Sequence, residues 1–221
     1  MKNESEKYMN KALALAAKAE ALDEVPVGAV IVKDGQIIGR GWNRRQQKQN
    51  ALEHAEIMAI AQACRKLKSW RLESCTLYVT LEPCPMCAGA IIQSRIANVI
   101  FGAYDPKGGA CGSVINLFEI PQWNHHPNWE GGILEAQCSK QLKDYFRKKR
   151  AEKKAQKIAR KAAQNQIQST DNSTPPVVPG RSASEAEQVS SMQESEVGDD
   201  SLSDNDHNFD LERVPRASKG D

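Results

Sequence analysis

Hydrophobic and polar positions change period along the first part of the chain. Over residues 6–21 apolar side chains recur every three or four positions, which predicts an amphipathic helix. Residues 27–32 and 36–42 are rich in valine and isoleucine, which predicts two strands. The Asp34-Gly35 pair between them is a strong signal for a two-residue hairpin turn. The chain is therefore expected to begin with a helix and a β-hairpin.

Helices and strands then alternate through the middle of the chain. The pattern predicts a helix at about 53–66, a strand at 76–80, a helix at about 84–94 and a strand at 99–102. A helix that connects two strands implies a crossover, and such connections leave the strands parallel. Together with the initial hairpin, this order predicts a mixed sheet between two helical layers, which is an α/β fold of the α/β/α sandwich type.

The composition of the remaining chain changes at about residue 166. Residues 135–163 have the pattern of one long helix, and its second half is strongly basic. From residue 166 onward serine, proline, glycine and acidic residues dominate, which predicts disorder. The expected organisation is a folded domain at 1–150, a basic helical extension at 151–165 and a disordered acidic, serine-rich tail at 166–221.

Composition narrows the class of protein. A chain of 221 residues with 40% hydrophobic content suits one domain and an appendage. The sequence contains no run of about 18 apolar residues and no signal-peptide core at its start. Its six cysteines are not arranged as a secreted disulfide framework. These features predict a cytoplasmic protein.

The net charge of +2 conceals an uneven distribution. Residues 166–221 contain 4 basic and 12 acidic residues, whereas the 165 residues before them contain 26 basic and 16 acidic residues. A basic folded part suits a polyanionic partner such as RNA. A basic surface that is merely solvated is the alternative interpretation.

Two short motifs carry the candidate chemistry: His54-Ala55-Glu56 and Pro83-Cys84-Pro85-Met86-Cys87. One imidazole and two thiolates can fill three of the four positions around a tetrahedral zinc ion, and a water in the fourth makes such a site catalytic. Cys84 and Cys87 share one face at the start of a predicted helix, and His54 begins another. Two helix N-termini near one metal favour thiolate and hydroxide. Glu56 is then a general acid and base beside the metal.

Each half of this pattern has other uses. A Cys-x-x-Cys pair also occurs in redox proteins and in structural zinc sites, and a histidine at a helix start is more often a cap or surface residue. A structural zinc site needs a fourth protein ligand, but the sequence has no second Cys-x-x-Cys or His-x-x-x-His pair. A redox disulfide would leave His54 and Glu56 without a role. The combination therefore favours a catalytic metal site.

The His-Ala-Glu and Pro-Cys-x-x-Cys motifs together resemble the signature of the zinc-dependent nucleoside and nucleobase deaminases. The resemblance is greatest to the bacterial enzymes of that superfamily that deaminate adenosine in tRNA, and it covers roughly residues 1–150. It implies the cytidine deaminase-like fold, with a central five-stranded sheet whose fifth strand lies near 132–134. The similar segments are 25–30, 41–44, 54–58, 77–84, 101–105 and 124–125.

The resemblance also implies an activity. The expected reaction is hydrolytic deamination of adenosine to inosine at the wobble position of a tRNA anticodon, in a homodimer with one Zn²⁺ per subunit. His54, Cys84 and Cys87 would hold the zinc, and Glu56 would carry protons for a zinc-activated hydroxide. A free cytidine, dCMP or guanine deaminase with the same zinc core is the alternative. An inactive RNA-binding subunit is a further alternative, which the presence of Glu56 disfavours.

The expected substrate contacts come from several segments. By resemblance, Asn43 is expected to bind the ribose or base and Asp105 to border the substrate nucleotides, although both residue types are also common in turns. Asn124 and His125 are expected to contact RNA on the same basis. Arg147 lies among aromatic and basic residues of the last predicted helix, a mixture that suits base stacking and phosphate contact. A solvated basic helix is the alternative for the residues beyond 150.

Overall fold

The structure is a computed structural model that describes residues 2–170. Its helices are α1 (Lys2–Ala21), α2 (Arg45–Lys48), α3 (Ala55–Leu67), α4 (Pro85–Gln93) and α5 (Glu135–Thr170), with a 3₁₀ turn at Leu117–Glu119. Its strands are β1 (Gly28–Lys33), β2 (Gln36–Trp42), β3 (Thr76–Leu81), β4 (Asn98–Ala103) and β5 (Asn128–Glu130).

The five strands form one mixed sheet in the order β2-β1-β3-β4-β5. Strand β1 is antiparallel to both of its neighbours, whereas β3, β4 and β5 are parallel. Gly28 pairs with Trp42, and Ala29 pairs with Val79, so the ends of β2 and β3 lie on either side of the start of β1. The predicted mixed five-stranded sheet is confirmed.

Helices cover both faces of the sheet because successive strand residues point to opposite sides. On one face Ile31 and Val79 join a buried cluster with Ala59 of α3 and Ile91 of α4. On the other face Val30 and Tyr78 pack against α1, and Cys138 of α5 packs beside α1 as well. This arrangement confirms the predicted α/β/α sandwich.

The fifth strand lies a few residues before its predicted position. It pairs with β4 at Asn98–Asn128, Val99–Trp129 and Ile100–Glu130. Gly132 follows with a φ of 88°, and Leu134 has a φ of 53°. Because such left-handed conformations are incompatible with an extended strand, residues 132–134 turn the chain into α5 instead.

One connection and the end of the last helix also differ from expectation. Helix α2 is a single turn within a segment predicted as a polar loop, and it is too short to show a helical hydrophobic period. Helix α5 continues to Thr170. The tail was predicted at 166–221; α5 includes residues 166–170, and residues 171–221 lie outside the described part of the chain. Within residues 2–170, none of the helices combines the length and the apolar character needed to cross a membrane.

Glycines on β2 allow α3 to lie unusually close to the sheet. A Cβ on Gly41 would overlap the carbonyl oxygen of Ala55 and come within 2.7 Å of the amide nitrogen of Ala59. A Cβ on Gly39 would lie 3.1 Å from the Cβ of Ala63. The first turn of α3 is therefore held directly against the end of β2.

Gly41→Ala should test this close packing. The added methyl meets backbone atoms, which cannot rotate away, so the free energy of unfolding should fall by at least about 1–3 kcal/mol. Urea denaturation would measure the change. The exposed neighbour Arg40 provides the control, because Arg40→Ala should stay within about 0.5 kcal/mol of the unaltered chain. Equal stability of the two variants would contradict the packing described.

Candidate active site

Three metal-ligand side chains meet where α3 and α4 begin. His54 is the N-cap residue of α3, Cys84 is the N-cap residue of α4, and Cys87 lies in the first turn of α4. The Nδ1 atom of His54 is 3.7 Å from the Sγ of Cys84 and 3.6 Å from the Sγ of Cys87. The three ligand atoms lie within 4.8 Å of one another, so they could hold one metal ion.

The N-cap position leaves the His54 ring available for this role. Neither His54 nor Cys84 uses its side chain to cap its helix. At the start of α3 the capping oxygen comes from Asn43, whose Oδ1 accepts a hydrogen bond of 3.0 Å from the backbone N–H of Ala55. The Nδ2 of Asn43 donates to the carbonyl oxygen of Val25 at 3.2 Å. Asn43 therefore braces the helix that carries the imidazole.

The protons of the three ligands are coupled. Hydrogen bonds from Cys87, opposed by burial, and then from His54 lower the pKa of the Cys84 thiol to about 4. The Cys84 thiolate in turn raises the pKa of His54, although burial opposes this shift. The same thiolate and burial raise the pKa of Cys87. The lowered pKa of Cys84 favours its thiolate, whose negative charge would also stabilise a cation held by the three side chains.

Glu56 is a buried carboxylate beside this group. Its side chain is 4% exposed, and Oε2 has no hydrogen-bond partner within residues 2–170. Burial raises the pKa of Glu56 above its usual range. A buried carboxylate oxygen without a partner is costly, and such groups concentrate at functional sites. Glu56 is therefore suited to accept and release a proton.

A cavity of about 230 Å³ opens onto His54, Glu56 and Cys84. Asn43 and Asp105 line the same cavity, and their contact with a substrate stays a prediction. The remaining lining residues are Glu24, Val25, Val27, Arg45, Gln46, Leu81, Glu82 and Tyr145.

Glu24 and Tyr145 also line the cavity but were not among the predicted site residues, although Tyr145 is one of the aromatic residues near Arg147 in the last predicted helix. Glu24 is 2% exposed, and its Oε1 accepts a hydrogen bond of 2.7 Å from the backbone N–H of Gln47. This hydrogen bond connects α2 to the loop before β1. Tyr145 reaches the cavity from α5 and donates a hydrogen bond of 3.0 Å to the carbonyl oxygen of Asp23. Both contacts join segments that no local motif connects.

Glu82 was not predicted as a site residue, although it lies only two residues before Cys84. It is 2% exposed and accepts hydrogen bonds from Asp105, Cys111 and Ser113. Burial alone would raise the pKa of Glu82, but these hydrogen bonds outweigh it and lower the pKa. Glu82 is therefore an ionised carboxylate within the wall of the cavity.

Three predicted substrate contacts lie elsewhere. The Oδ1 of Asn124 accepts a hydrogen bond of 2.8 Å from Arg95, and the Nε2 of His125 lies 2.7 Å from the carbonyl oxygen of Ile96. Arg147 is on α5, where it pairs with Asp144 at 2.9 Å. None of these three side chains lines the cavity beside the metal group. Their contact with RNA stays a prediction.

Comparison with known proteins agrees with this site. The family model of the MafB19-like deaminases matches residues 3–150. A tRNA-specific adenosine deaminase of Bacillus subtilis (strain 168) is 49% identical over 147 residues, which are 66% of this chain and 91% of that protein. The chain belongs to the family of tRNA-specific adenosine deaminases. A relative with the same description from Haemophilus influenzae is also 49% identical, over 66% of this chain and 86% of its own length.

Solved structures place the fold in the same deaminase family. A structure from a study of A-to-I editing by tRNA:A34 deaminases at the wobble position of transfer RNA has 44% sequence identity and a TM-score of 0.60. The similarity covers 62% of this chain and 99% of that one. The deaminase family match ends at residue 150, so the last part of α5 extends beyond it.

Cys87→Ala should remove the metal from this deaminase. The unaltered chain is expected to contain about one metal ion, whereas the variant should contain almost none, because two ligands hold an ion far less tightly than three. Since metal binding is linked to folding, the variant should also unfold at lower denaturant concentration. Elemental analysis and urea titration measure the two effects. Cys64→Ala is the matched control and should retain the metal, and a Cys87 variant that retains it would exclude this ligand set.

Proposed function

We propose that this chain deaminates adenosine to inosine at the wobble position of a tRNA anticodon and that its metal is zinc. The observation that carries the proposal is the buried Glu56 carboxylate beside the group formed by His54, Cys84 and Cys87. Relatives that are 49% identical and named tRNA-specific adenosine deaminase support the substrate.

The donor set and its spacing fit zinc. Typical Zn–S distances of about 2.3 Å and Zn–N distances of about 2.0–2.1 Å separate the ligands of a tetrahedral site by about 3.5–3.8 Å. The His54 Nδ1 atom lies 3.7 and 3.6 Å from the two thiol sulfurs. Zinc bound by three protein ligands would supply an activated water at neutral pH.

Glu56 would move the protons of the reaction. Acting as a base, it takes a proton from the attacking water and passes it to N1 of the adenine. After the new C–O bond has formed at C6, Glu56 takes the remaining proton of the former water and gives it to the departing amine. Water and adenosine are thereby converted to inosine and ammonia. Burial raises the pKa of Glu56, so the carboxyl can hold a proton between these steps.

The walls of the cavity would orient the base. Asn43 and Asp105 border the metal group together with Tyr145, which provides an aromatic ring for contact with a nucleotide. An anticodon loop presents unstacked bases, so the enzyme need not open a duplex. Asn124, His125 and Arg147 lie outside the cavity and would contact neighbouring parts of the RNA.

The basic surface of α5 supports a large polyanionic substrate. Lys153, Lys154 and Lys157 are exposed there, beyond the region that the family model matches. A tRNA substrate also implies a cytoplasmic location. The six cysteines of the chain are unpaired thiols, which suits that compartment because structural disulfides are rare in it.

A homodimer is part of the proposal, since the family resemblance implies one. Val114 and Ile115, in the loop between β4 and β5, are 55% and 45% exposed. Contact with a second copy of the chain would remove such apolar side chains from water, and this burial favours association.

Glu56→Ala should separate proton transfer from metal binding. Zinc content and tRNA affinity should stay nearly unchanged, because Glu56 is not one of the three ligands. The rate constant of inosine formation in a single turnover should fall by about 10²–10⁴-fold or more, since one carboxylate serves several proton transfers. Glu73→Ala, at an exposed carboxylate, is the control and should react normally. Loss of zinc from the Glu56 variant, or near-normal turnover, would show that its role is misassigned.

Salt dependence should distinguish a tRNA substrate from a free base or nucleoside. A protein that neutralises several phosphates releases counterions, so tRNA affinity should weaken by about tenfold or more between roughly 50 and 200 mM salt. Titration of labelled tRNA at several salt concentrations measures this slope. Free adenosine, cytidine and guanine should be far poorer substrates in the same preparation. Efficient turnover of any of them, with no salt-sensitive tRNA binding, would favour the alternative deaminase.

A further inference from the structure

We infer that Glu82 is a positioning residue for the reaction: its carboxylate holds the loop at 105–113 so that Asp105 stays beside the metal group. The inference rests on the proposed function, because it assigns Asp105 a place next to the substrate. Glu82 follows β3 directly and precedes the ligand Cys84 by two residues. Glu82 and Cys84 line the cavity, and so does Asp105, the first residue of the loop.

Four donors of a single loop converge on this carboxylate. Oε2 accepts a hydrogen bond of 3.0 Å from the backbone N–H of Asp105 and another from the hydroxyl of Ser113. Oε1 accepts hydrogen bonds of 2.9 Å from the backbone N–H of Cys111 and 3.0 Å from that of Ser113. Both oxygens are thus occupied by the loop, so Glu82 acts by holding backbone and not as a metal ligand or proton carrier.

The loop is shaped to enclose the carboxylate. A Cβ on Gly109 would overlap the carboxylate carbon of Glu82 and lie 2.6 Å from its Oε1 atom, so only glycine fits there without displacement. The N–H of Gly109 donates to the carbonyl oxygen of Asp105 at 2.9 Å, and the N–H of Ala110 donates to that of Pro83 at 2.8 Å. Because a buried carboxylate is costly without hydrogen bonds, its presence favours the one loop conformation that supplies all four.

This conformation reaches the reaction site through Asp105. Asp105 lines the cavity together with His54, Glu56 and Cys84. Its backbone is fixed by Glu82, and its Oδ1 accepts a hydrogen bond of 3.0 Å from the N–H of Lys107. Without the carboxylate, the loop would keep its hydrogen bond from Ala110 to Pro83 but would lose the four that Glu82 accepts, including the one at Asp105. Glu82 therefore sets the position of Asp105 relative to the metal group.

A double-mutant cycle tests this role. Glu82→Gln keeps the size of the side chain but replaces one acceptor by a donor that faces the loop N–H groups. We expect it to retain about one zinc per chain and near-normal tRNA affinity, while single-turnover inosine formation falls by roughly tenfold or more. Asp105→Ala should also lower this rate. In the Glu82→Gln background it should add less than about threefold, because residues acting as one unit are not additive.

Controls separate positioning from a structural role. Glu130→Gln, at an exposed carboxylate of β5, should leave the rate unchanged. Ser113→Ala removes one donor, so it should lower the rate in the same direction but less, and this milder variant decides the question if Glu82→Gln fails to fold. Fully multiplicative effects of the two substitutions would overturn the inference, as would a normal rate per zinc-loaded molecule. Absence of inosine formation by the unaltered chain would instead overturn the proposed function.

Discussion

The convergence of two helix N-termini is the constraint on which the site depends. Strands β2 and β3 end on either side of the start of β1. Helix α4 begins a few residues after β3, α3 follows β2 beyond the single turn of α2, and both pack on the same face of the sheet. The helix starts are therefore neighbours, although His54 and Cys84 are 30 residues apart in sequence. The positive ends of both helix dipoles lie at the ligands and favour thiolate over thiol. Because α3 packs closely against Gly39 and Gly41, the start of this helix is held at the end of β2.

Buried polar side chains hold the rest of the cavity around that point. Asn43 joins the start of α3 to the segment before β1, and Glu24 joins that segment to α2. Glu82 holds the loop that carries Asp105. Each of these groups is almost fully buried, and its hydrogen bonds go mainly to backbone atoms. The loops that line the cavity lack the regular backbone hydrogen bonds of helices and sheets. Hydrogen bonds from buried side chains therefore fix their positions.

Much of the fold and the centre of the site could be predicted because local rules govern them. The periodicity of hydrophobic residues predicted the sandwich and its helices. The identity and spacing of His54, Cys84 and Cys87 predicted a site for one metal ion. Tyr145 was noticed only as an aromatic residue of a basic helix, and its place in the cavity could not be predicted because its hydroxyl contacts Asp23 across 122 residues of sequence. The fifth strand lies before its predicted position because Gly132 and Leu134, which have left-handed backbone conformations, end the extended backbone. Helix α2 was not predicted because a single turn is too short to show a helical pattern of hydrophobic residues.

The metal site is proposed to act on one base of tRNA. The most direct measurement incubates the purified protein with unmodified tRNA transcripts that carry adenosine at the first anticodon position. Sequencing then reports inosine as an A-to-G change at every adenosine of the RNA. Conversion is expected at the first anticodon position, and the other adenosines should be unchanged. Conversion at other adenosines to the same extent, or no conversion by protein that contains its zinc, would contradict this proposal.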